Sequence, residues 1–200
     1  MGLQAGFGLI GSKQCFKKNT MSDNDRDKFR FNVFLASVVL HSQLGTCDRL
    51  RTAAGAVKNK RLEGVGYNGS VSGLAHCDDI GHLIVDGHCL RTRHGEVNLI
   101  SNTERENLRG AQIIIIGTPC IECVKDLAHE GVAEIHYVGS YSNAQGTEHS
   151  QQICEEKRIK LIQHHIDYQE LFQEVFDNLA KKGGVLERAG YRLKVVKEEI

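Results

Sequence analysis

The stretch Gln112-Ile113-Ile114-Ile115-Ile116-Gly117-Thr118-Pro119-Cys120-Ile121-Glu122-Cys123 decides the fold class. Consecutive isoleucines from Ile113 to Ile116 cannot alternate between core and water. They predict a strand buried on both faces, inside a sheet covered by helices. The run leads into Pro119, the only proline of the chain, whose fixed φ suits a turn entering a helix N-terminus. Cys120 and Cys123 are three residues apart, so on a helical turn they share a face and can hold one ion at about 2.3 Å each.

Outward from this stretch, local patterns predict the remaining elements. Ser22 or Asp23 caps a helix reaching about Gln43, with Phe31, Phe34, Leu35, Val38 and Val39 at helical spacing and Gly45 as its stop. Ala54–Val57 and Leu62–Tyr67 read as an antiparallel hairpin turning through Lys58–Arg61. Asn68–Arg93 has no sustained period and reads as a long functional loop or a metal-braced insert. A helix is expected from His94 to about Leu108, a second from Cys120 to Glu130, a strand over Glu134–Val138, a helix over Ser150–Lys157 and a strand over Lys160–Gln163. A terminal helix over Asp167–Lys182 carries Leu171, Phe172, Val175, Phe176 and Leu179 on one face and stops at Gly183 and Gly184. Alternating strands and helices make this an α/β layered domain. The expected organisation is a glycine-rich extension over 1–21, one catalytic domain over 22–182 and a tail over 183–200.

Two hundred residues suffice for one domain with a substantial core. Lysine plus arginine, 25, equals aspartate plus glutamate, 25, so no global field favours a polyanion and nucleic acid is not the expected partner. The apolar run Phe31–Leu40 is far short of the ~20 residues a membrane span needs. Seven cysteines is an odd count, no secretory leader is evident, and two thiols are spaced for metal; the expectation is a soluble cytoplasmic protein with reduced thiols.

The chemistry is concentrated in His94-Gly95-Glu96 and Pro119-Cys120-Ile121-Glu122-Cys123. One imidazole and two thiolates give a zinc ion three protein ligands and leave the fourth tetrahedral position open, as in catalytic sites. Two helix N-termini, one carrying His94 and Glu96 and the other the cysteines, favour carboxylate and thiolate where they meet. Glu96 is then a proton shuttle. A closed structural knuckle would need another ligand at matched spacing and has no use for Pro119 or Glu96. The spacing H-x-E…P-C-x-x-C is the known signature of zinc-dependent nucleobase deaminases and is applied here as such.

Beyond that motif, the chain resembles the deoxycytidylate (dCMP) deaminases of the cytidine deaminase-like superfamily over roughly Asp27–His165. The resemblance rests also on Thr46-Cys47, Gly55-Ala56-Val57, Gly66-Tyr67-Asn68-Gly69, Ser72-Gly73, His76-Cys77-Asp78-Asp79 and His88-Cys89-Leu90-Arg91-Thr92-Arg93. It implies a three-layer α/β/α sandwich around a mixed five-stranded sheet, and a homo-oligomer, often a hexamer. It also implies conversion of dCMP to dUMP, with activation by dCTP and inhibition by dTTP, Mg²⁺ accompanying a regulatory nucleotide. Carried over to this chain, nucleotide contacts fall on Asn68, Tyr67 and Gly69, with Arg91 and Arg93 as candidates for phosphate. Members usually read H-A-E; Gly95 is a departure, expected to leave room beside the metal and relax substrate choice.

Cys47, Cys77 and Cys89, with His76, His82 or His88, form a second cluster: a structural zinc site, as in some relatives, or three ordinary buried thiols. Arg49, Arg51, Arg91 and Arg93 each read either as a guanidinium fork for phosphate or as solvated surface. His129, His136, His149, His164 and His165 read as surface or core residues. Competing functions are deamination of another base or carrier (dCTP, guanine, a tRNA adenosine) and a non-catalytic nucleotide sensor, against which the intact Glu96 speaks.

Overall fold

The computed structural model describes residues 22–139 and 147–198; the 1–21 extension lies outside the described residues. In chain order the elements are α1 (Asp23–Ser42), β1 (Ala53–Lys58), β2 (Arg61–Tyr67), β3 (Gly69–Ser70), α2 (Cys77–Ile80), β4 (Ile84–Val85), β5 (His88–Cys89) and β6 (Thr92–Arg93). There follow α3 (Gly95–Asn102), α4 (Arg105–Leu108), β7 (Gln112–Ile116), α5 (Ile121–Glu130), β8 (Glu134–Val138), α6 (Thr147–Lys157), β9 (Lys160–His164), α7 (Tyr168–Leu179) and α8 (Val185–Ala189).

The isoleucine strand organises everything else. The main sheet runs β2-β1-β7-β8-β9, with β1 antiparallel to both its neighbours and β7, β8 and β9 mutually parallel. Ile113 and Ile115 face a core built with Leu99 of α3, Val124 and Leu127 of α5 and Cys154 of α6. Ile114 faces the opposite way, into Leu35 and Val38 of α1 and Leu171 of α7. Helices therefore cover both faces, which makes a three-layer α/β/α sandwich around a mixed sheet. Ile113, Ile114 and Ile115 are at most 2% exposed, and each contributes on the order of 2 kcal/mol relative to an exposed side chain.

Local chemistry sets the element ends. Ser22 caps α1, its side chain accepting from the Asp25 N–H at 3.1 Å. Asn59 and Lys60 take φ of 51° and 64°, the left-handed pair of a two-residue hairpin turn between β1 and β2. Gly45, expected as the stop of α1, has another reason to be glycine. A Cβ there would overlap Asn68 Oδ1, so the missing side chain lets the strand-end asparagine in.

Three helices differ from the sequence reading. The single helix expected over 94–108 is broken: α3 ends at Thr103, whose φ of −125° and ψ of 133° are extended, and α4 is a separate turn. Thr103 is buried over Gly64, where any Cβ would overlap its side chain, and this docking takes Thr103 out of the helix. Helix α7 ends at Leu179, ahead of the expected Lys182, because Gly183 at φ 88° turns the chain back and Gly184 packs on the Leu179 carbonyl. Beyond it, the chain adds α8 and returns along α7, where Gln169 Nε2 donates to the Val195 carbonyl at 3.1 Å and Gln173 Oε1 accepts from the Val195 N–H at 2.9 Å. Helix α6 begins at Thr147, earlier than expected. Among the described residues no helix is long and apolar enough to cross a membrane.

Candidate metal centre and catalytic cleft

Both halves of the motif sit at helix starts, as residues in β conformation that cap the helix. His94 is the residue before α3 (φ −70°, ψ 152°) and Cys120 the residue before α5 (φ −77°, ψ 163°). Cys120 Sγ accepts from the Cys123 N–H at 3.5 Å, so the first thiol is held by the turn that carries the second. Helix α3 is seated by glycines. A Cβ on Gly66 of β2 would lie 2.7 Å from the Asn98 carbonyl carbon and closer still to Gly95 O and Leu99 N, so only glycine allows this backbone contact.

His94 Nδ1 lies 3.3 Å from Cys123 Sγ and 3.5 Å from Cys120 Sγ, and all the ligand atoms fall within 4.8 Å of one another. Metal–sulfur and metal–nitrogen bonds of about 2.3 and 2.05 Å at a tetrahedral angle separate nitrogen from sulfur by roughly 3.6 Å. The donor set and its spacing fit zinc. The protonation pattern agrees: a hydrogen bond from Cys123 and the neighbouring His94 hold the Cys120 thiol well below its ordinary range. The hydrogen bond to Cys120, together with burial, pushes Cys123 up. His94 is raised, chiefly by its hydrogen bond to Cys120. Glu96, 6% exposed in the first turn of α3, has its carboxyl raised by burial.

Glu96, His94 and Cys120 line a cleft of ≈ 210 Å³ together with Thr52, Thr118, Asn68 and the exposed side chains of Arg49 and His88. Thr118 Oγ1 is buried there without a hydrogen-bond partner among the described residues. Asn68 belongs to the lining, but its amide is engaged: Nδ2 donates to the Leu50 carbonyl at 2.7 Å and Oδ1 accepts from the Thr52 N–H at 2.8 Å. Tyr67, Gly69, Arg91 and Arg93 are not among the cleft-lining residues. Tyr67 is 39% exposed, Gly69 pairs with Arg93 in a short ladder, Arg91 Nε donates to the Gly81 carbonyl at 3.1 Å and Arg93 to Ser101 Oγ at 3.0 Å.

Gly95 does not leave room beside the metal, contrary to the expectation from sequence. Its missing methyl points at the sheet, where a Cβ would meet Gly66 O at 3.1 Å, Ala53 Cα at 3.2 Å and Ala54 N at 3.4 Å. The departure from H-A-E is absorbed by the fit of α3 on β1 and β2.

The second cluster comes together. Cys47, which follows α1, joins Cys77 of α2 and Cys89 of β5, and of the histidines it is His82 that joins them. Cys77 and Cys89 Sγ are 3.6 Å apart, and His82 Nδ1 is 3.7 Å from Cys47 Sγ and 3.8 Å from Cys89 Sγ. The opposite ring nitrogen, Nε2, lies 2.8 Å from Asp48 Oδ1, the outer contact that orients ligating histidines. Burial raises the Cys89 thiol, but hydrogen bonds from Thr92, the Arg91 backbone and His82 outweigh it and bring it down to about 6. His76 is engaged instead with Thr46 Oγ1 at 2.9 Å.

The sequence model of the cytidine and deoxycytidylate deaminase zinc-binding region matches residues 31–139, more than half of the chain. The chain belongs to this family of zinc-binding deaminases. It is 34% identical over 136 residues to ComE operon protein 2 of Bacillus subtilis (strain 168), covering 67% of this chain and 70% of that protein. Deoxycytidylate deaminase of Mycobacterium phage D29 is 30% identical over 129 residues, covering 58% of this chain and 97% of the phage protein. In fold, the chain is similar to dCMP deaminase from the cyanophage S-TIM5, solved in complex with dCMP and dUMP: TM-score 0.55, 19% identity, covering 72% of this chain and all of that one.

Proposed function

We propose that this protein hydrolyses dCMP to dUMP and ammonia. The observation that carries the reading is that buried Glu96 lines one cleft with His94, Cys120 and exposed Arg49, while Cys123 joins His94 and Cys120 in a three-ligand cluster. The phage D29 relative, matched over nearly its whole length, is a deoxycytidylate deaminase. The balanced charge of 25 basic and 25 acidic residues argues against RNA as substrate.

His94, Cys120 and Cys123 would hold the zinc ion, which when bound supplies the charge that acidifies a water nucleophile towards neutral pH. Glu96 moves the protons. Its carboxylate takes one proton as the water oxygen bonds to C4 of cytosine and delivers it to N3. It then carries the second water proton to the exocyclic amine, the C4–N bond breaks, and ammonia leaves a C4 carbonyl. Burial, which raises Glu96, suits a group that must hold a proton between these transfers. Thr118 Oγ1 offers the base an unused polar atom.

The second cluster is proposed as a closed structural zinc site, with Cys47, Cys77, Cys89 and His82 as ligands. Its support is the separations of 3.6–3.8 Å and the Asp48 contact to the far side of His82. Its place is architectural: it ties the segment after α1 to the insert between β3 and β6.

The deciding experiment is ammonia release over dCMP, dCTP, CMP, deoxycytidine, guanine and a tRNA. Turnover of dCMP above the others is expected. Turnover confined to guanine or RNA would overturn the reading.

A further inference from the structure

Arg49 stands apart from every other cationic side chain near the cleft. It is the one lysine or arginine among the described residues that line it, and like Gly87 and His88 of the same lining it is exposed, whereas Glu96 is buried. One guanidinium nitrogen, Nη2, donates to the Gly87 carbonyl at 3.0 Å, and among the described residues Arg49 has no carboxylate partner. Its neighbours are all committed elsewhere. Arg51 pairs with Asp78 at 3.4 Å, Arg91 donates to Gly81 and Arg93 to Ser101. A guanidinium pinned through one nitrogen keeps the rest of its donor fork for a ligand, and that fork matches the geometry of phosphate oxygens.

The pin itself is anchored. Gly87 lies in the tight β4–β5 turn, where Asp86 and Gly87 take φ of 46° and 80°, and β5 ends in Cys89 of the second cluster. At the other end, Arg49 is two residues beyond Cys47 of the same cluster. Both the arginine and the carbonyl holding it are therefore fixed by one set of side chains, and His88, on the same turn, adds an imidazole to the lining.

From this geometry we infer that Arg49, assisted by His88, is the 5′-phosphate subsite of the cleft and sets the preference for a nucleoside monophosphate over the nucleoside. This rests on the deamination reading above. The test compares wild type, Arg49→Gln, Arg49→Lys and Arg91→Gln, all zinc-loaded and matched in metal content. Steady-state ammonia release gives the ratio of kcat/KM for dCMP to that for deoxycytidine, and calorimetry gives the ratio of affinities for dUMP and deoxyuridine.

Both ratios are expected to fall by about tenfold or more in Arg49→Gln, carried by KM, with partial recovery in Arg49→Lys. Ratios unchanged in Arg49→Gln, or lowered by Arg91→Gln in its place, would overturn the assignment. The two readings fail separately. A wild type that deaminates deoxycytidine as well as dCMP removes the subsite and leaves deamination standing. A wild type that releases no ammonia from either substrate removes deamination, while the dUMP and deoxyuridine affinities still decide the subsite.

Discussion

Replacing Gly66 with alanine should displace the catalytic helix. The added Cβ would fall 2.7 Å from the Asn98 carbonyl carbon, and nearer still to Gly95 O and Leu99 N, all of them backbone atoms of α3 that cannot swing aside. Ordinary carbon contacts need about 3.5–4.0 Å, so α3 must retreat by about 1 Å or β2 must bend away. Overpacking of this kind costs about 1–3 kcal/mol, which for a chain of this size lowers Tm by roughly 3–10 °C. Because α3 carries Glu96 and is capped by His94, a displacement of about 1 Å should also lower kcat by about 100-fold. Scanning calorimetry of the zinc-loaded protein and steady-state ammonia release read the two effects. An unchanged Tm with unchanged turnover would refute the idea that this glycine contact seats the helix.

Further expectations follow from other parts of the molecule. Gly95→Ala meets only contacts of 3.1–3.4 Å, so its strain and its helix-propensity gain of up to about 1 kcal/mol should largely offset, leaving Tm and substrate ranking near wild type; a changed ranking in the substrate panel would restore a pocket role for Gly95. Cys47→Ser and His82→Asn should each lose one zinc equivalent by metal analysis while keeping the other, and Asp48→Asn should weaken metal retention at that cluster by about 10–100-fold in chelator competition. Stability should fall on acidification below about pH 6.5. Burial and the neighbouring His136, whose Nδ1 is 2.9 Å from His164 Nε2, hold His164 below the usual histidine value, so the unfolded chain takes up this proton first. Urea midpoints of wild type and His164→Asn at several pH values check this, the variant showing the flatter slope. Glu134 does not offset that trend: Lys160, with His136 and Gln112, holds its carboxyl down at about 2, so its stabilisation persists at neutral pH and is lost only on acidification below about 4.5.

The sandwich was legible because its central strand has no polar face: Ile113–Ile116 admits burial on both sides and little else. The candidate ligand cluster was legible because proline, cysteine spacing and the paired His94 and Glu96 constrain local chemistry. What sequence did not yield was set by contacts across the fold. Nothing local to Thr103 says that Gly64 will receive it and end α3 there. Gly45 resembles a helix stop, yet it is glycine to admit the Asn68 side chain. Gly95 lies between the proposed ligand His94 and the proposed proton shuttle Glu96, yet its open side faces the sheet. Among several candidate histidines, His82 was singled out only by the folding of the insert, which gives one ring nitrogen to the thiols and the other to Asp48. Arg49 differs from Arg91 and Arg93 only in where the chain takes it.

Glu96 is proposed to move protons at a zinc site formed by His94, Cys120 and Cys123. The most direct test of this role is Glu96→Gln, with zinc content and ammonia release from dCMP measured on the same preparation. Wild-type zinc content with turnover lowered by about 10²–10⁴-fold is expected. Wild-type zinc content with near-normal turnover would contradict the role.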